Sequence, residues 1–322
     1  MRALVSSPDG PSLAEVPQPA PKPGQVLVKV AAAPLNRADL AMLKGRPHGA
    51  VGGMGAPLGL EWSGEVAALG DGVENWRVGD RVMSASGGAF AEYTLGHAAT
   101  IARVPAQISL ADASTMPVAI QTMHDAIATA GAFQPGQSVL IQGASSGVGL
   151  VGLKIAKHLG ASLVIGTSTS PDKRARLAEF GADLALDSND PGWVQQVLDA
   201  TDGKGVDLVV DQLAGALLNA AMGATRIGGR IVNVGRMAGD RETFNFDLHA
   251  LRRITYVGVT FRTRTGRETA DVIARAHTAL APAIAAGDFI VPIDSRVPLT
   301  EADAAFAKMR ANTHFGKILL TP

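Results

Sequence analysis

Through the middle of the chain, short and nearly continuous apolar runs alternate with stretches whose apolar residues recur at helical spacing. Residues 138–141 (Ser-Val-Leu-Ile) predict a buried strand, and Leu150, Leu153, Ile155, Ala156 and Leu159 then mark one helical face that ends at Gly160. A second strand is expected over 161–167, followed by a helix from about 171 to 180 that stops at Gly181. Strand patterns return at 184–186, 206–211 and 230–235. Strands alternating with helices of about ten residues predict an α/β fold with a doubly wound parallel sheet.

The flanks are patterned differently. Up to about residue 105, apolar runs are short (25–30, 64–69, 80–83, 90–94) and set among frequent Pro and Gly, which predicts a β-rich domain, a partly open barrel. Residues 110–130 are helical in pattern. The α/β alternation ends near 257. Then come a helix over 269–286, an extended piece at 289–293, a helix start at 298–302 and a strand at 317–320. This tail is expected to return to the N-terminal domain, leaving a ligand cleft between two lobes. The domains are then 1–120, completed by 258–322, and 121–257.

The first mid-chain strand meets its helix through Gly143-Ala144-Ser145-Ser146-Gly147-Val148-Gly149. Small residues there let a pyrophosphate approach bare amides at the positive end of a helix dipole. In the dinucleotide-binding frame G-x-G-x-x-G, Ala144 and Ser146 replace two glycines and Gly149 remains. NAD-preferring sites carry an acid about 20 residues further on. Here the second strand runs instead into Thr167, Ser168, Thr169 and Ser170, with Lys173 and Arg174 next. Hydroxyls and cations suit a 2′-phosphate, so NADPH is the expected cofactor. Asp172 follows Ser170-Pro171 and is read as a helix-start residue. One of Lys173 and Arg174 is expected to be only part of a solvated helix face.

Composition narrows the chemistry. A chain of 322 residues suits two domains, and a formal net charge of zero gives no electrostatic footprint for nucleic acid or an anionic membrane. The absence of cysteine removes disulfides, thiolate nucleophiles and thiolate zinc sites, and the seven histidines show no pair at ligating spacing. With no targeting segment and no apolar run of membrane-spanning length, a soluble, cytoplasmic protein is expected.

Five segments (33–40, 57–64, 78–82, 143–149 and 314–319) resemble, in order along the chain, the medium-chain dehydrogenase/reductases and among them the zinc-free quinone oxidoreductases; 260–264 adds to the likeness. The resemblance implies a Rossmann nucleotide domain beside a GroES-like catalytic domain formed by both chain ends. It further implies NADPH-dependent reduction of a quinone or enone, a small-molecule electron acceptor. Asn36, Leu60 and Val118 stand where zinc-dependent relatives place ligands, so no metal is expected. Asn36 is implied at the nicotinamide and substrate, against the simpler role of a loop-capping Asn. Arg262 is a candidate carbonyl or anion clamp, or else a solvated or interface Arg. Thr122, read as sitting at a helix start facing the turn, is implied to touch the cofactor, as are Gly235 and Arg236 at a strand end. Ser145, Gly147 and Val148 complete the turn that would hold it. Ser188 stands where many relatives carry a Tyr beside the 2′-phosphate. Lys317 is a candidate for the phosphates, although a solvent-facing strand position is the simpler reading. Tyr93 and Tyr256 have no clear claim as a general acid, which leaves solvent to supply a proton.

A short-chain dehydrogenase reading of the same turn fails, because neither Tyr is followed by Lys four residues later. An enoyl-thioester or alkenal reductase and a non-catalytic NADPH-binding sensor remain open. The apolar stretch 254–260 at the expected sheet edge points to a homodimer.

Overall fold

The computed structural model describes residues 1–7, 10–49 and 51–322. The chain divides into two compact units, Met1–Val118 with Phe261–Pro322 and Ala119–Thr260. In the first, β1 (Arg2–Ser7) and β2 (Gly10–Glu15) form a hairpin. There follow β3 (Gln25–Pro34), α1 (Asp39–Met42), β4 (Trp62–Leu69), β5 (Arg81–Ser84), β6 (Tyr93–His97) and β7 (Ala102–Arg103). The helical stretch expected over 110–130 is broken. α2 (Leu110–Ser114) ends before α3 (Pro117–His124), and a π-helical turn occupies Asp125–Ala130. Pro117 cannot donate an amide, while Ser114 and Thr115 turn their hydroxyls onto the carbonyls of Ala111 and Asp112.

The second unit carries β8 (Ser138–Ile141), α4 (Gly147–His158), β9 (Leu163–Thr167), α5 (Pro171–Ala175), β10 (Leu184–Leu186), α6 (Trp193–Asp199), β11 (Val206–Asp211), α7 (Leu218–Ala224), β12 (Thr225–Asn233), α8 (Phe246–Arg252) and β13 (Thr255–Gly258). The expected helix over 171–180 relaxes after Ala175 into a 3₁₀ turn, Leu177–Phe180, and Gly181 ends it in a left-handed conformation. All six strands are parallel in the order β10-β9-β8-β11-β12-β13. This is a Rossmann arrangement, and its order reverses between β8 and β11, where ligands bind in such sheets. Leu140, Ile165, Val209 and Ile231 from four adjacent strands pack with Trp193 and Val197 of α6 and with Ala221 and Met222 of α7.

The tail completes the first unit with α9 (Gly266–Ala286), β14 (Ile293–Pro298), α10 (Ala302–Ala311) and β15 (Lys317–Thr321). α9 begins three residues before the expected start, because Thr265 and Glu268 form a reciprocal capping box. The extended piece expected at 289–293 lies further on, as β14, while Phe289 and Val291 are core anchors. The sheet order is β14-β15-β3-β4-β5-β7, with β6 also on β3. β15 therefore lies antiparallel on β3, with Leu319 opposite Pro34. Trp62, Phe90, Phe306, Leu58 and Ile318 fill the core.

Candidate functional site

In the nucleotide unit, the turn after β8 is tied down locally. Gly143 donates its amide to the Thr167 hydroxyl at 3.1 Å, and Ala144 donates to the Thr167 carbonyl at 2.9 Å. Ser146 is the N-cap of α4, accepting from the Gly149 amide at 3.0 Å and donating to the Gly143 carbonyl. With the Gly149 amide capped, those of Gly147 and Val148 in the same first turn are the groups available to a diphosphate. A Cβ on Gly149 would come within 2.7 Å of the Ala144 backbone, so only glycine lets α4 start this close to β8.

Gln212, just past β11, was not anticipated from the sequence. Its amide donates to the carbonyls of Gln142 (3.0 Å) and Gly143 (3.3 Å) and accepts from Ser146 (3.2 Å). It thus pins the turn after β8 across the switch point of the sheet. Asp211 beside it is fully buried; burial pushes its carboxyl up, against the pull of the Ala214 and Leu213 amides that it accepts. A Cβ on Gly235 would lie 2.4 Å from the Gln212 carbonyl, so the end of β12 must stay bare. Arg236, next to it, is exposed.

At the end of β9, Ser168 donates its hydroxyl to Ser145 at 2.9 Å, joining that strand end to the turn. Arg174 reaches back from α5 to the Ser168 carbonyl (2.9 Å) and pairs with Asp187 (3.1 Å). Ser188 is buried beside that acid. Lys173 is half-buried on α5. Thr122 does not sit at a helix start: it lies near the end of α3, because Pro117 sets the first turn five residues earlier.

In the other unit, a buried polar cluster gathers where β3 ends and where β4 and β15 begin. Lys317 is not solvent-facing. It is 3% exposed, and its ammonium contacts Glu61 at 2.5 Å and donates to the side-chain oxygen Oδ1 of Asn36 at 2.8 Å. The reason is register: β15 lies inside the sheet, beside β3, and Leu35 donates to the Ile318 carbonyl. Asn36 donates its side-chain amide to Glu61 at 2.8 Å and makes a longer contact, 3.5 Å, with the Pro34 carbonyl. The other oxygen of Glu61 accepts from the Val118 amide. Asp39 accepts from the Asn36 backbone amide through Oδ2 at 2.6 Å, while Oδ1 is buried without a partner among the described residues. Burial pushes Asp39 up to about 7, opposed by the Asn36 hydrogen bond and the Lys317 charge and reinforced by Glu61. Glu61 escaped the sequence reading; its signal was a single acid inside the apolar run Leu58 to Trp62. Arg262 is exposed in the turn after β13, with its backbone on Gly49; burial pushes the His48 imidazole down, and the Arg262 charge adds to that.

A zinc ion does not fit these residues. Leu60 and Val118 offer hydrocarbon, and the Asn36 oxygen already takes a hydrogen bond from Lys317. Among the described residues no three His, Asp or Glu side chains gather to hold a metal ion, and no helix is long and apolar enough to cross a membrane.

Residues 22–106 match a family model described as an alcohol dehydrogenase GroES-like domain, and 147–277 match one described as a zinc-binding dehydrogenase. A probable oxidoreductase from Mycobacterium abscessus is 30% identical, with a TM-score of 0.85 over 100% of this chain and 97% of its own. A mycobacterial protein, Rv1454c, solved in complex with NADPH, is 27% identical with a TM-score of 0.85, covering 100% of both chains. A mycocerosic acid synthase-like polyketide synthase from Mycolicibacterium smegmatis is 29% identical over 99% of this chain, which amounts to 15% of the synthase. The chain thus spans a small fraction of the curated relatives it matches.

Proposed function

Since the chain belongs to the medium-chain dehydrogenase/reductase family, with NADPH as its cofactor, we propose that it reduces quinones or related α,β-unsaturated carbonyl compounds without zinc. One observation carries the reading: a phosphate-binding turn stands in a chain whose zinc-ligand positions hold an amide and two hydrocarbons. Such a site favours acceptors electron-poor enough to need no Lewis acid. Bound NADPH supplies a hydride.

The chain's own residues bind, orient and hold charge. Gly147 and Val148 meet the diphosphate with amides, and Ser145, Ser168, Lys173 and Arg174 serve the adenosine end. Thr122, Gly235 and Arg236 line the nicotinamide end. Asn36 is the candidate donor to the acceptor's carbonyl oxygen. Its hydrogen toward Glu61 is committed, and the one directed 3.5 Å from Pro34 is left for the acceptor. Glu61 and Lys317 keep that amide from rotating. Arg262 is a second candidate for holding a negatively polarised oxygen. Solvent is the proposed source of the proton.

The match to a segment of a polyketide synthase favours a second reading, reduction of an α,β-unsaturated acyl thioester. A homodimer formed through β13 is part of the proposal. That strand is the sheet edge, and Tyr256 on it is 39% exposed. A monomer mass by light scattering at micromolar concentration would remove the dimer.

The function is tested by following NADPH oxidation against a benzoquinone, an enone and a crotonyl thioester. Turnover with the first two is expected. Turnover with the thioester alone establishes the second reading, and binding of NADPH with no turnover on any of them establishes a non-catalytic sensor.

A further inference from the structure

Asp187 is an acid built into the adenosine end, and no step above uses it. β9 and β10 run parallel, with Leu186 opposite Thr167, so Ser168 and Asp187 leave the sheet side by side. Ser168 also donates its amide to the Leu186 carbonyl at 3.0 Å, which locks the two strand ends together. One carboxylate oxygen of Asp187 accepts from the Asn189 amide at 2.9 Å, and the other pairs with Arg174 at 3.1 Å. The acid is therefore held in a tight turn rather than free to swing away. Arg174 is bound at the same moment to the Ser168 carbonyl, whose hydroxyl continues to Ser145 in the phosphate turn. Anion, cation and hydroxyls form one continuous path from the turn after β8 to the ends of β9 and β10.

We propose that Asp187 is a specificity-determining residue: by occupying Arg174 and facing the 2′-phosphate with like charge, it sets how far the protein prefers NADPH to NADH. The proposal rests on NADPH as the cofactor and is independent of which acceptor is reduced. The pair is partly exposed, with side chains 24% and 30% accessible, so Arg174 is held weakly enough to be shared or released when a phosphate arrives. Arg is suited to that exchange because its planar fork can keep the Ser168 carbonyl while turning other N–H groups to phosphate.

The test uses equilibrium titration of the full chain with 2′,5′-ADP and 5′-AMP, which differ only in the 2′-phosphate, alongside NADPH and NADH. Asp187→Asn keeps the turn, because its amide oxygen can still accept from Asn189. It should tighten 2′,5′-ADP and NADPH by about fivefold and leave 5′-AMP and NADH within about twofold, the size expected when one screened charge is removed. Arg174→Gln should weaken 2′,5′-ADP by roughly tenfold and leave 5′-AMP unchanged. In the Arg174→Gln background the gain from Asp187→Asn should fall below about twofold, since the acid acts mainly through the cation it occupies. Unchanged discrimination in Asp187→Asn, or weaker 2′,5′-ADP binding, would overturn the proposal; the second result would make Asp187 a positioning residue for Arg174. A proteolysis-resistant Asp187→Ser variant with the same ratio as Asp187→Asn separates loss of charge from loss of fold. None of these measurements involves an electron acceptor, so they can fail while the quinone or enone reading stands, and the reverse.

Discussion

Replacing Lys317 with Met removes the cation between Glu61 and Asn36 while keeping most of the side-chain volume. Glu61, with no exposure, would then be a carboxylate facing only the Asn36 amide and the Val118 N–H. Deleting one partner of a buried ion pair costs about 3–5 kcal/mol, because desolvation of the remaining charge is no longer offset. Two hydrogen bonds to Glu61 survive, which places the expected loss near the lower end, about 3 kcal/mol. In a folding unit of a couple of hundred residues each kcal/mol moves Tm by roughly 2–4 °C, so the transition of this unit should fall by about 6–12 °C. Differential scanning calorimetry at pH 7, with Glu61→Gln and the Lys317→Met/Glu61→Gln pair alongside, reads it directly. The double variant leaves no unpaired charge and should recover most of the loss. A Lys317→Met protein melting within about 2 °C of the parent, or a double variant no more stable than the single one, would refute the reasoning.

Other consequences follow from the same geometry. Burial lifts Asp39 from 3.8 to about 7, so the folded state holds a proton that the unfolded chain releases. The stability this confers at low pH is lost as pH rises through about 7. Asp39→Asn should therefore flatten the decline in Tm between pH 5 and 8 and be the more stable protein at pH 8, by up to on the order of 4 kcal/mol; parallel pH profiles for the two proteins would count against it. Ala214 holds φ 53° and ψ −145°, a conformation suited to glycine. Ala214→Gly should raise Tm by a few degrees, corresponding to about 1 kcal/mol, and a drop in Tm would show the backbone to be unstrained. Gly149→Ala pushes a methyl to 2.7 Å from the Ala144 backbone, so NADPH binding measured by calorimetry should weaken by about tenfold or more, and an unchanged Kd would discount the turn as the phosphate site.

The parts of the fold that were legible share a property: their signal is local. The run at 138–141, the small residues at 143–149 and the helical stripe from Leu150 to Leu159 each report on neighbours a few residues apart. β8, the turn and α4 accordingly lie where the pattern put them. The breaks in 110–130 and 171–180 were harder to read, because the periodicity runs through them. In 110–130 the break comes from a proline and a pair of back-bonding hydroxyls acting at single positions, while in 171–180 the α-helix gives way to a 3₁₀ turn after Ala175, before the Gly181 stop that was legible.

By itself, the order of residues determined that a parallel Rossmann sheet would follow a β-rich segment, and that its first turn would suit a dinucleotide. It determined too that no thiolate chemistry was available. Only the tertiary structure decided the chemistry of the charged residues. Lys317 reads as an ordinary strand lysine until β15 is laid against β3, which puts it beside Glu61, 256 positions away in the chain. Nothing in the sequence marks Asp187 until β10 lies alongside β9 and brings it to Arg174. Periodicity encodes which face of an element is buried, whereas the partner of a charge is set by strand order and register, and these are fixed by packing among residues far apart in the chain.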